Sequence, residues 1–124
     1  MKIKFPRMTI IATSLMLSAC ATNHMKYDWG SYDTSLHTYY NDPAKVAVFS
    51  LSLKNTIDDS NARHMIVAPG IYAEYGYMLL QQGKSQAAVA AFEEEEKHWP
   101  ESKAFMDRLI QVASSSEKKS ENGN

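Results

Sequence analysis

The chain of 124 residues holds a single cysteine, five glycines and four prolines, and its charges nearly cancel at a formal net of −1. One cysteine excludes an internal disulfide, and without a CxxC pair there is no thiol framework for zinc or redox chemistry. The five glycines are spread singly, so no phosphate-cradling loop is present. The near-neutral balance lacks the basic surplus of a nucleic-acid binder. No apolar run reaches the roughly 18 residues that a membrane-spanning helix needs. Catalytic constellations are also missing. His24, His37, His64 and His98 are scattered without HExxH or paired spacing, and Ser114, Ser115 and Ser116 have no base or oxyanion element nearby. The expectation is a small domain that is not an enzyme and binds no cofactor.

What is there begins with an address. Lys2, Lys4 and Arg7 form a positive start, residues 8–17 (MTIIATSLML) carry no charge, and Leu17-Ser18-Ala19-Cys20 follows. That order reads as a secretory signal peptide. Its ending resembles the lipobox of bacterial lipoproteins: leucine three residues before the cut, small residues next, then cysteine. The Cys20 thiol is the nucleophile that takes a diacylglyceryl group, and the small residues let the chain pass the peptidase cleft. Cleavage exposes an amine at Cys20 for a further acyl chain, and two or three acyl chains anchor stably at about 0.8 kcal/mol per buried methylene. Ala21 follows the cysteine, where aspartate retains such lipoproteins in the inner membrane. The expected location is therefore the outer membrane, facing the periplasm. Removing residues 1–19 leaves 105 residues and takes away three basic residues and no acidic ones. The mature balance becomes 10 basic against 14 acidic, a net of −4.

The mature sequence divides into a tether (20–28), an all-α domain (29–113) and a tail (114–124, SSSEKKSENGN) without apolar residues, expected to be disordered. Trp29, Tyr32, Leu36 and Tyr39 fall on one helical face, and Asp42-Pro43 stops that helix and starts another. Val46, Phe49, Leu53 and Ile57 mark the second helix, ending between Asp59 and His64. Ala68-Pro69-Gly70 breaks the chain. The third helix spans 71–82, with Gly83 as its left-handed cap. The fourth runs 85–98 from Ser85, and Pro100 ends it. Phe105, Leu109 and Val112 mark a fifth.

Residues 69–102 span 34 positions, the length of one tetratricopeptide repeat. Tyr72, Tyr75, Gly76, Leu79, Gly83, Ala88, Phe92 and Pro100 fill that repeat's positions. Gly76 and Ala88 are expected where the two helices cross most closely, with Tyr72, Leu79 and Phe92 filling the space around them. Glu95 and Ser85 depart from the pattern, which weakens packing against a following repeat and fits a unit with one capping helix after it. The first two helices read as a degenerate hairpin of the same kind, giving a short right-handed stack. On such a hairpin the groove-facing edge would be Ala73, Tyr77, Leu80 and Gln81, a candidate partner-binding site with aromatic and aliphatic anchors. The competing reading packs Tyr77 and Leu80 against the preceding hairpin. Glu94 and His98, four apart beside an acidic run, support the alternative of a ligand- or metal-sequestering lipoprotein. The simpler reading of that run is a solvated face.

The sequences Tyr27-Asp28-Trp29-Gly30-Ser31-Tyr32, Tyr39-Tyr40, Pro69-Gly70-Ile71-Tyr72-Ala73-Glu74-Tyr75-Gly76-Tyr77 and Trp99-Pro100-Glu101-Ser102 with Phe105-Met106 resemble the small proteobacterial lipoproteins grouped as domain of unknown function 4810. The resemblance runs from the lipobox to about Leu109. It implies a periplasmic accessory to an envelope or secretion complex, since members are often encoded beside a lipoprotein resembling the curli-secretion channel. It implies no activity and does not identify the partner.

Overall fold

Apolar residues recurring every three or four positions, punctuated by turn residues, set five helices among the described residues. The computed structural model describes residues 25–121; the expected signal peptide (1–19), Cys20 and the first part of the expected tether lie outside them. The helices are α1 (Tyr32–Asn41), α2 (Val46–Ala62), α3 (Ile71–Gln81), α4 (Ser85–His98) and α5 (Lys103–Glu121). Short 3-10 turns, Pro43–Lys45 and Pro100–Ser102, precede α2 and α5. No strand occurs among the described residues, so the fold is all-α.

The boundaries follow local chemistry. Asp42 accepts from the Ala44 N–H at 3.2 Å, and Pro43 opens the turn into α2. Gly83 takes φ of 74° just past α3, while Lys84 N–H reaches the Leu79 carbonyl and Gly83 N–H the Leu80 carbonyl, each at 3.0 Å. This paired pattern closes the helix end. His64 does the same for α2 with φ of 55°, Met65 N–H donating to the Ser60 carbonyl at 2.8 Å. Ser85 begins α4, but no side-chain hydrogen bond caps that helix.

Successive helices pack side by side, α1 on α2, α2 on α3, α3 on α4 and α4 on α5. Two apolar clusters meet across α3. The first joins Phe49, Leu53 and Ile57 of α2 to Val67, Ala68, Ile71, Tyr72 and Met78, with Tyr32, Leu36 and Tyr39 of α1 against it. The second joins Leu79 of α3, Ala88, Ala91 and Phe92 of α4, and Met106 and Ala113 of α5. Tyr75 touches both. Between α1 and α2 the contact is partly polar: Ser52 Oγ lies 2.8 Å from Ser35 Oγ and 3.0 Å from Ser31 Oγ.

The closest crossing is at Gly76. A Cβ there would stand 2.6 Å from Cε1 of Phe92 and 3.1 Å from the Ala88 carbonyl oxygen. Glycine is the side chain that fits at this approach.

Four expectations are corrected. Residues 114–121 continue α5 as helix instead of forming a disordered tail, and Gln86 of α4 donates to Glu117 on that extension. The tether ends earlier than residue 28. Tyr27 packs edge-on to Trp99 with ring centroids 6.3 Å apart, and Asp28 pairs with Arg63 at 2.8 Å. Trp29 precedes α1, its carbonyl accepting from Tyr32 N–H at 2.9 Å. Glu95 does not loosen the packing: it is 1% exposed, and its Oε1 accepts from Gly70 N–H at 2.7 Å. The carboxylate of α4 thereby ties down the N-terminus of α3, where the helix dipole favours negative charge.

Candidate functional site

An open apolar groove of about 550 Å³ lies between α3 and α5. Ala73, Glu74 and Tyr77 of α3 form one wall, and Phe105 and Leu109 of α5 form the other. Trp29, Tyr32 and the Pro69-Gly70-Ile71 bend close one end. The wall residues recur four apart, 73 with 77 and 105 with 109, so each helix turns one stripe toward the groove.

The end wall is held by aromatic contacts. Trp29 packs on Tyr32 with centroids 5.5 Å apart and edge-on to Tyr27 at 6.2 Å, and Tyr32 packs on Phe49 at 6.1 Å. Asp28 fixes the approach to Trp29, since its Oδ1 accepts from Gly30 N–H at 3.0 Å. The rims stay open to solvent: Tyr77 is 48% exposed, Phe105 61% and Trp29 38%. Large apolar side chains kept exposed around a concave surface mark an interaction site more than a packing defect.

One charged group stands in the groove. The Tyr32 hydroxyl donates to Glu74 Oε2 at 2.9 Å. Burial pushes the half-buried Glu74 carboxyl above the usual glutamate range, and the hydrogen bond from Tyr32 partly opposes that rise. Burial is also the main cause of the rise at Tyr32, whose hydroxyl goes up to about 12, helped by the bond to Glu74 and by its charge.

The edge expected from the sequence divides in two. Ala73 and Tyr77 line the groove. Leu80 packs against the second apolar cluster. Gln81 is occupied within the fold, its side-chain amide meeting the Tyr39 hydroxyl at 3.2 Å, and so turns toward α1. Tyr39 in turn stacks on Phe49 at 5.2 Å. Trp29, Tyr32, Glu74, Phe105 and Leu109 complete the site with the Pro69-Gly70-Ile71 bend, and none of them belongs to the edge expected from the sequence. The four-residue spacing of Phe105 and Leu109 was legible, but the same spacing serves a core stripe equally well. Of the residues assigned to repeat positions, Tyr72, Gly76, Leu79, Ala88 and Phe92 are buried, Tyr75 is half-buried, and Gly83 caps α3. Pro100 begins the 3-10 turn after α4.

Glu94 and His98 do come together, with 3.5 Å between a carboxylate oxygen and Nδ1. Lys97 shares the Glu94 carboxylate at 3.1 Å, and the His98 ring stacks on Tyr72 at 5.2 Å. No group of three or more His, Cys, Asp or Glu is placed to hold a metal ion among the described residues.

Searches of curated proteins and of solved structures each found no match. The family described as Domain of unknown function (DUF4810) matches residues 26–109, which takes in both walls of the groove and its aromatic end. On that match, over most of its length, the chain belongs to the DUF4810 family.

Proposed function

We propose that this protein is a lipid-anchored, periplasm-facing interaction module, an accessory subunit of an outer-membrane or secretion-type envelope complex. The observation that carries the reading is the α3–α5 groove, with Tyr77 and Phe105 exposed on its two facing helices. Exposed aromatic anchors in a preformed apolar cleft are the usual centres of protein recognition. The α3–α4 pair reads as a tetratricopeptide-like hairpin, in which alternate helices turn their edges to one concave face. The groove edges of α1, α3 and α5 fit that register. The sequence ending at Cys20 supplies the anchor, and two or three acyl chains suffice to hold a small domain at a membrane. The partner class is an envelope protein, such as the curli-secretion-channel-like lipoprotein implied by the resemblance.

The test is capture of partners from native envelopes by the full chain and by a Tyr77→Ala/Phe105→Ala double variant. The reading expects a defined envelope protein with the parent chain, lost with the variant while its melting temperature stays unchanged. Equal capture by both chains defeats the groove. For the anchor, Cys20→Ala is expected to leave the membrane fraction, and an unchanged distribution contradicts lipidation.

A further inference from the structure

The groove carries one carboxylate, and among its lining residues there is no cation. Among the described residues no lysine, arginine or histidine forms an ion pair with Glu74, whose carboxylate accepts a hydrogen bond from Tyr32. Lys103, on the same helix as Phe105, is held by Glu96 and Asp107. The acidic charge is therefore unanswered among the described residues. The groove that holds it is also lined by the aromatic side chains of Trp29, Tyr32, Tyr77 and Phe105. Resting on the interaction-module reading, we propose that the groove receives a partner polypeptide segment bearing an arginine, which pairs with Glu74 while its apolar neighbours lie on Tyr77, Phe105 and Trp29.

Three features select that occupant. A guanidinium meets a carboxylate in a planar fork and stacks on aromatic rings, so one side chain satisfies both elements of the site. Burial raises the Glu74 carboxyl, which means its charge is poorly solvated and gains most from a cation brought to it. The rims are open and the anchors lie on opposite walls, which suits a chain laid across the groove better than a small molecule enclosed in it. Tyr32 completes the arrangement by fixing one carboxylate oxygen at 2.9 Å, so the group is preorganised.

The test pans a random peptide library displayed on phage against the full chain in detergent, then counter-selects on Tyr77→Ala/Phe105→Ala to discard peptides bound elsewhere. The surviving peptides are expected to carry arginine between apolar residues. A synthetic copy of one, followed by fluorescence anisotropy, is expected to bind about tenfold more weakly to Glu74→Gln, the size of effect that loss of a charge-assisted hydrogen bond produces. The amide of that variant still accepts from Tyr32, so its melting temperature is expected to be unchanged or higher. Replacing the peptide arginine by lysine should weaken binding less than replacing it by glutamine, and added salt should weaken binding to the parent chain more than to Glu74→Gln. Survivors without arginine, or equal affinity for Glu74→Gln, overturn the inference and leave the groove as a purely apolar site. No surviving peptide at all, or a concentration-dependent dimer formed through the groove, also overturns it. Capture from the envelope remains a separate reading of whether the protein has a partner.

Discussion

Gly76→Ala tests the helix crossing on which the fold depends. The added methyl carbon would lie 2.6 and 2.8 Å from two ring carbons of Phe92, where ordinary carbon contacts sit at about 3.5–4.0 Å. The ring must retreat by about 1 Å, yet Phe92 is fully buried among the residues of α3, α4 and α5. The Ala88 carbonyl on the other side, at 3.1 Å, belongs to backbone and gives little. Overpacking of this kind costs about 1–3 kcal/mol. Alanine returns about 0.8–1.0 kcal/mol through its higher helix propensity. The net is a loss of about 0–2 kcal/mol, or up to roughly 16 °C in melting temperature for a domain of this size. Thermal melting followed by circular dichroism measures it. The double variant Gly76→Ala/Phe92→Leu should lose less than the two single losses together, a coupling of about 0.5–3 kcal/mol. A melting temperature that rises with Gly76→Ala would mean propensity wins and the crossing is not tight, which refutes the reasoning.

Further expectations follow from single contacts. Tyr32 has its hydroxyl raised from 10.0 to about 12 in the folded chain. Folding therefore favours the protonated phenol, and its contribution is intact below pH 10 and is lost as pH rises through about 12. Melting temperature should fall more steeply over that window in the parent chain than in Tyr32→Phe, and parallel curves would contradict the shift. Glu95→Ala strands the Gly70 N–H at the start of α3, at a cost of about 1–3 kcal/mol, while Glu95→Gln keeps the acceptor and should cost less; chemical denaturation ranks them. His64 holds a left-handed conformation that costs a non-glycine residue about 1–2 kcal/mol. His64→Gly should therefore raise the unfolding free energy by about 0.5–1 kcal/mol after the entropy of glycine is counted. A lower denaturation midpoint in that variant would show that the His64 side chain itself contributes.

The helices and their ends were legible because they depend on local chemistry. Asp42-Pro43, Pro69-Gly70 and Gly83 each force a break or a cap that no tertiary contact overrides. The tight pair at Gly76 and Ala88 was also legible, because a close crossing needs small residues at a fixed repeat spacing. The extension of α5 was not. Residues 114–121 have no apolar stripe of their own, and their helix continues one already held by Met106 and Ala113. The place of Glu95 is illegible for a related reason: its hydrogen bond reaches Gly70, 25 residues away. The groove was half legible. Ala73 and Tyr77 follow from the register of α3, whereas Gln81 is drawn aside by Tyr39 of another helix. The pairing of Tyr32 with Glu74 spans 42 positions and leaves no local trace.

The claim that the α3–α5 groove is where this protein meets its partner is tested most directly by site-specific photo-crosslinking in the native envelope. A photoreactive phenylalanine analogue would replace Tyr77, Phe105 and, as a control, Tyr40, which is 84% exposed on α1 and does not line the groove. The same envelope protein is expected in adducts from 77 and 105, absent from 40 and diminished when Glu74→Gln is combined with either. Adducts from 40 alone, or an identical set from all three positions, would contradict the account.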